Sequence, residues 1–232
     1  MALDRIPNAK PKVRGAMEAP YRERGKGRSF LWYVYSPRSD KDWALRSDLE
    51  YYHFLSVEAD PSIASVDYAP KKRVTRVAGE YIASVVDVEI KLATGVVIWR
   101  EVKSEASLAA NADARAELQL LAQSKQSSRI GDRYELVTER QLLANPMLLR
   151  NWHQAIPWIA QVRDVPLEQE VDEIAALIMR KGTVMFSQIL ELGGRNDQAI
   201  YGAAILRAVQ TGAIRSDLDA KPFCKYTRFK IA

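Results

Sequence analysis

The chain has 232 residues, 47% hydrophobic and 27% charged, with 34 basic against 29 acidic side chains and a formal charge of +5. That length buries one sizeable core and amounts to about one and a half domains of around 150 residues. No apolar run approaches the roughly 20 residues of a membrane span, and Phe30–Tyr35 is too short for a secretory signal core. The single cysteine, Cys224, excludes a disulfide framework and a cysteine-based zinc site, so the expectation is a soluble protein of a reducing cytoplasm.

Residues 1–28 hold eight basic groups and three acids, so this Pro/Gly-containing arm carries the whole +5 and the rest of the chain sums to zero. A basic arm on a neutral body suits a polyanion such as nucleic acid; a solubilising tail is the equally simple reading. After it, FLWYVY (30–35) reads as a short strand or an aromatic plug, and SPRSDKD as a polar turn. Residues 47–58 read as a helix that Asp60-Pro61 stops, followed by β-type runs at 63–69 and 72–78. A hairpin is expected over Tyr81–Lys103, a long helix over 105–127 and a strand at 134–138. Two helical pieces follow, over 139–149 and 151–162. Val165-Pro166 marks a boundary, beyond which helices over 167–181, 185–192 and 196–211 and two strand-like pieces, AIRSDL and KYTRFKI, make the pattern of a winged helix. The organisation expected is a basic flexible arm (1–29), a catalytic domain (30–165) and a winged-helix domain (166–232).

The chemistry lies in the hairpin, VVDVEIKL-ATG-VVIWREVK. With Ala93-Thr94-Gly95 as a three-residue loop and Gly95 in its left-handed position, one face is almost wholly apolar, carrying Val86, Val88, Ile90, Leu92, Val96, Ile98 and Val102 with Arg100. The other carries Asp87, Glu89, Lys91, Trp99, Glu101 and Lys103. A two-residue loop would slip the register by one and mix the two sets. The chosen register puts Asp87 opposite Glu101, with Lys103 on the same face. Like charges so placed are destabilising, and two facing carboxylates need a cation, a shared proton or open water. Mg²⁺ fits hard oxygen ligands and keeps waters for a phosphate substrate. Lys103 could then orient or deprotonate an attacking water, or balance charge on a scissile phosphate. The competing reading is a solvated sheet face with alternating signs.

Glu50 also has two readings. Ser47-Asp48-Leu49-Glu50 is a capping box, which alone accounts for a glutamate there; on a helix beside the sheet the same carboxylate could complete a metal site. Lys71, Lys72, Arg73 and Arg76 form a basic run that could track DNA phosphates or guard a strand edge. His53 and His153 lack a second ligand at metal spacing and read as ordinary packed or surface residues. The helix 196–211 is poor in base-reading side chains, so protein docking is favoured there over sequence reading.

A helix with Glu, then Asp and Glu-x-Lys across a hairpin, then a helix and a strand, is the order of the PD-(D/E)xK nucleases. SDLE (47–50), VVDVEI (85–90), EVK (101–103) and YELVTERQLL (134–143), with Asn151 after LLR, resemble the TnsA family, the endonuclease subunits of heteromeric transposases. The similarity runs from about residue 40 to 162 and more weakly into TGAIRSDL near the end. It implies an α/β, restriction-endonuclease-like mixed sheet flanked by helices, followed by the winged-helix domain. It implies Glu50, Asp87 and Glu101 as acidic active-site residues and Lys103 as the catalytic lysine. Asp87, Glu101 and the Val102 carbonyl would hold Mg²⁺, with Mn²⁺ as a substitute, to activate water and stabilise the leaving 3′ oxygen. Val86 replaces the usual proline before the aspartate, and Glu101 stands where the family also uses Gln. The activity implied is cleavage of the 5′ ends of a transposon in a bacterial cytoplasm. The implied partners are duplex DNA ends, a TnsB-like recombinase and, through the C-terminal region, a TnsC-like ATPase. A stand-alone nuclease of restriction, phage defence or repair, and a non-catalytic DNA-binding adaptor on the same fold, are the alternatives.

Overall fold

A computed structural model of the chain describes residues 30–71, 73–77, 80–110, 121–124, 126–128 and 132–232. The basic arm (1–29), Lys72 and the middle of the helix expected over 105–127 lie outside these residues.

Trp32–Ser36 (β1) and Lys41–Leu45 (β2) pair as an antiparallel hairpin, so the polar turn read between 36 and 42 is flanked by a second strand that the sequence did not signal. Ser47 caps helix Asp48–Ala59 (α1) by accepting the Glu50 backbone N–H at 3.1 Å, and the helix ends at Asp60. Ile63–Asp67 (β3) joins a four-stranded sheet with Val88–Leu92 (β6), Val97–Lys103 (β7) and Arg133–Thr138 (β8), in the order β3-β6-β7-β8. Arg73–Val77 (β4) and Glu80–Ser84 (β5) pair with each other in a separate ribbon. The long hairpin expected from Tyr81 is therefore shorter: residues 81–84 belong to β5, and β6 begins at Val88.

The sheet is mixed, since β3, β6 and β7 are antiparallel neighbours and β8 runs parallel to β7. Both its faces are covered. Val57 of α1 packs with Ile63, Val66, Val88, Ile90 and Ile98, and Leu49 and Tyr52 of the same helix meet Val102 and Val137. On the opposite face, where the alternation puts Trp99 and Glu101, the helical segment 121–124 supplies Ala122 and Gln123, both buried. Residues Glu105–Ala110 (α2) are helical too, so both described ends of the expected long helix are in place.

Glu139–Leu142 (α3) and Pro146–Gln161 (α4) are divided at Asn145, not at residue 150 as the pattern suggested. Asn145 accepts the Leu148 N–H at 3.0 Å and Pro146 occupies the first turn, where its missing N–H costs nothing. The remaining elements are Glu168–Lys181 (α5), Val184–Met185 (β9), Phe186–Leu192 (α6), Gln198–Gln210 (α7), Ile214–Ser216 (β10) and Arg228–Ile231 (β11), with a three-stranded sheet ordered β10-β11-β9. Residues 200–206 of α7 are all buried. A Cβ at Gly202 would lie 2.5 Å from the Trp158 ring, so only glycine lets α7 approach α4 this closely. The largest hydrophobic cluster takes Phe54 and Leu55 from α1, Trp152 and Ile156 from α4, and Ile174, Ile205 and Phe229 from beyond Pro166. The core thus runs through the Val165-Pro166 boundary. Among the described residues no helix is long and apolar enough to cross a membrane.

Candidate active site

The β6–β7 hairpin has the expected register. Val88 faces Arg100, Glu89 faces Trp99 and Ile90 faces Ile98, and Gly95 adopts φ 88° in the loop. The Leu92 N–H donates to the Val96 carbonyl at 2.9 Å, which fixes the ladder's parity: even-numbered β7 residues turn their backbone groups toward β6. Val102 is next in that series. Its expected partner, Val86, lies before β6 begins, so the ladder has no rung there. The Val102 N–H donates instead to Asp87 Oδ2 at 2.7 Å. In an extended strand the carbonyl of a residue leaves on the same side as its N–H, so the Val102 oxygen faces the same gap. The aspartate's own carboxylate closes the frayed end of the sheet.

Glu101 alternates to the other face and is 1% exposed. The competing reading of a solvated polar face fails at Glu101, because the helical segment 121–124 covers it. Glu101 Oε1 accepts from Lys103 Nζ at 2.8 Å, and Oε2 accepts from Gln123 Nε2 at 3.3 Å. Gln123 also donates to the Val85 carbonyl and accepts from the Tyr134 hydroxyl at 3.0 Å. It therefore fixes Glu101 to both the strand end and β8. Nothing in the sequence marked Gln123, whose partners are distant along the chain.

Burial raises the Asp87 carboxyl above the usual carboxylate range, against the opposing Val102 N–H bond and Lys103 charge. Burial and then the neighbouring Asp87 charge raise Glu101. Burial would lower Lys103, but the Glu101 hydrogen bond and the charges of Glu101, Asp87 and Glu50 together outweigh it and raise its pKa. Lys103 is thus an ammonium at neutral pH, suited to balancing charge rather than to abstracting a proton. Burial also raises the Tyr134 hydroxyl, followed by the charges of Glu101 and Asp87.

Only half of the expected capping box forms, with Ser47 accepting the Glu50 N–H, while the Glu50 carboxylate reaches back one residue further, to Arg46, and also reaches the site. Its Oε2 accepts the Arg46 N–H at 2.8 Å and its Oε1 accepts from the Ser47 hydroxyl at 3.3 Å. Its pKa is raised by burial and, against the Arg46 bond, by the Asp87 charge. Glu50, Asp87 and Val102 line one cavity of about 620 Å³, whose opposite wall is β2 and Arg46.

His53, one turn after Glu50, lines the same cavity and is 1% exposed, with neither ring nitrogen hydrogen-bonded among the described residues. Burial, with the nearby Arg100 charge, pulls its pKa down to about 3, so it is a neutral imidazole. His153 is the packed residue expected, bonded through Nδ1 to the Tyr51 hydroxyl at 2.6 Å. Lys71 is exposed and lies outside the cavity lining; Arg73 and Arg76 fall on β4, and Lys72 is outside the described residues. The structure therefore brings Glu50, Asp87, Glu101, Val102 and Lys103 together, and of the basic run it places only Lys71, outside the cavity lining. Among the described residues no three His, Cys, Asp or Glu side chains are grouped to hold a metal ion by themselves. No protein-family model matches the chain, and no curated protein matches it in sequence.

Proposed function

We propose that the chain is a Mg²⁺-dependent DNA endonuclease of the TnsA type, which cuts one strand at the 5′ side of transposon ends while a TnsB-like recombinase cuts the other. One observation carries this reading: at the frayed end of β6–β7 a buried carboxylate, Glu101, is raised by the charge of a second, half-buried one, Asp87, with Lys103 Nζ 2.8 Å from Glu101. Folding does not require such a cluster, and its like charges oppose it.

The donor set fits a hard divalent cation. Two carboxylates and the Val102 carbonyl on the same edge are oxygen ligands, too few to close a cage, which suits an ion that keeps waters and substrate oxygens. Bound there, Mg²⁺ or Mn²⁺ supplies Lewis acidity toward the phosphodiester and the attacking water. Asp87 and Glu101 hold the cation; Gln123 keeps Glu101 in place. Lys103 offers a fixed positive charge to the phosphate as negative charge builds on it. Glu50 adds negative charge beside Asp87 and anchors α1 against the site.

The sheet, with β8 parallel to an antiparallel trio, supports a restriction-endonuclease-like assignment. The order α5, β9, α6, α7, β10, β11 supports a winged helix. Its third helix is interior, with residues 200–206 buried, which favours docking of a TnsC-like ATPase over insertion of that helix into a DNA groove. Cleavage position would then come from partners.

The test is strand-specific nicking of end-bearing duplex DNA in Mg²⁺, with and without the recombinase, against Lys103→Ala. Nicks that leave a 5′ phosphate and a 3′ hydroxyl, depend on the recombinase, and fall by about 100-fold or more in the variant are expected. Nicking that survives Lys103→Ala overturns the catalytic assignment. Vigorous cleavage of any duplex by the chain alone points to a stand-alone nuclease.

A further inference from the structure

The cavity that holds Glu50 and Asp87 has a second wall with no role so far. It is β2, from Lys41 to Leu45, continued by Arg46. β2 pairs with β1 along one edge and turns its length to the cavity. Its charges are sorted along that length. Asp42 is neutralised by Arg163, 2.9 Å away and also largely buried. Lys41 and Arg46, at the two ends, are exposed. The Lys41 ammonium lies 5.8 Å from the centre of the Trp43 ring, close enough for a cation–π contact that keeps it beside the cavity. Arg46 is held by its own backbone, whose N–H donates to Glu50 Oε2, and its charge acts on that carboxylate.

We propose that β2 is the track for the DNA strand being cut, with Lys41 and Arg46 each gripping a phosphate on either side of the scissile one. This rests on the nuclease reading above and names the residues that would hold its substrate. Lys41 opens β2 and Arg46 directly follows its last residue, Leu45, so the two stand about 16 Å apart along the backbone. A span of that length takes in several consecutive phosphates of one DNA strand, and a phosphodiester between the two cations lies beside the cavity that Asp87 also lines. Edge strands also carry lysines merely to block pairing. A blocking lysine needs no cavity behind it and no arginine fixed to an active-site carboxylate.

The experiment is binding of the full chain to a short, labelled duplex of arbitrary sequence, with Ca²⁺ in place of Mg²⁺ to prevent cleavage, across about 50 to 200 mM salt. The proteins compared are wild type, Lys41→Gln, the double variant Lys41→Gln/Arg46→Gln, and Lys91→Gln, an exposed lysine outside the cavity lining. The expected result is a salt slope shallower by about 1 in Lys41→Gln and by about 2 in the double variant, with affinity weakened to match and Lys91→Gln like wild type. Wild-type binding with an unchanged slope in both β2 variants overturns the track and leaves the nuclease reading standing. Equal losses in Lys91→Gln overturn it too, by showing a diffuse charge effect. No duplex binding by wild type at the lowest salt overturns the track as well, and leaves the nuclease reading to the recombinase-dependent nicking test.

Discussion

Glu58 and Glu101 are both buried carboxylates, at 0% and 1% exposure, and burial raises the pKa of each. Their surroundings differ. Glu58 Oε1 accepts from the Ser36 hydroxyl at 2.6 Å and the Tyr68 hydroxyl at 3.1 Å, and Oε2 accepts from the Gln210 amide at 2.5 Å. Around it the Arg38 guanidinium donates to the carbonyls of Val57, Glu58, Asp60, Ile63 and Gln210. These contacts tie segments together: β1 and the turn after it to α1, α1 to the residue that follows β3, and α1 to the end of α7. Glu101 instead lies beside the charge of a second carboxylate, the half-buried Asp87, and meets a lysine that is 36% exposed. A satisfied buried acid is a joint in the fold. A buried acid facing another acid marks a site.

The largest effect expected on that contrast is at the joint. Glu58→Ala strands three donors in the interior and removes the negative charge that acts on Arg38, and should cost about 4 kcal/mol, roughly 10 °C in Tm, read by denaturant and thermal unfolding. A loss as small as that of a surface substitution would erase the distinction.

His53 extends the contrast to a buried polar group with no described partner. Its folded pKa of about 3 lies below the ordinary 6.5, so between those values the unfolded chain takes a proton that the folded imidazole refuses. Stability is therefore present above pH 6.5 and lost as pH falls toward 3, by about 1.4 kcal/mol per pH unit. The raised carboxylates Glu50, Glu58, Asp87 and Glu101 act in the opposite sense, gaining stability as they protonate, so wild type alone shows a mixture. His53→Phe removes only the histidine contribution. The difference between the two unfolding profiles should have this slope, and parallel profiles would show an imidazole that protonates freely.

The smallest effect has an unusual sign. In Asp87→Asn the amide oxygen can still accept the Val102 N–H, while the charge that opposes Glu101 disappears. Without divalent cations the variant should be more stable by about 1 kcal/mol, and it should not nick DNA. A destabilised Asp87→Asn would mean that the carboxylate serves the fold.

The register of the hairpin from Val88 to Arg100 was legible because strict alternation and one glycine leave a single pairing that separates its faces, although its extent was not. Glu50 was legible as a cap for the same local reason, and its proximity to Asp87 follows only from how α1 lies on the sheet. Where β6 stops was hidden, since the valines at 85 and 86 continue the apolar pattern past the point where Asp87 replaces a backbone rung. The break at Asn145-Pro146 was written in the sequence as a cap followed by a first-turn proline, and the apolar period around it masked the signal. Glu58, Arg38 and Gln210 were invisible because their bonds join residues up to 172 positions apart. Gln123 escaped for the same reason, joining strands that lie on either side of its helix.

The most direct measurement is calorimetric titration of Mn²⁺ into wild type, Asp87→Asn, Glu101→Gln and Glu58→Gln. Saturable binding is expected in wild type and in Glu58→Gln, and its loss in the other two. Binding that persists in Asp87→Asn and Glu101→Gln, or no binding by wild type, would contradict a cation site at the frayed end of the hairpin.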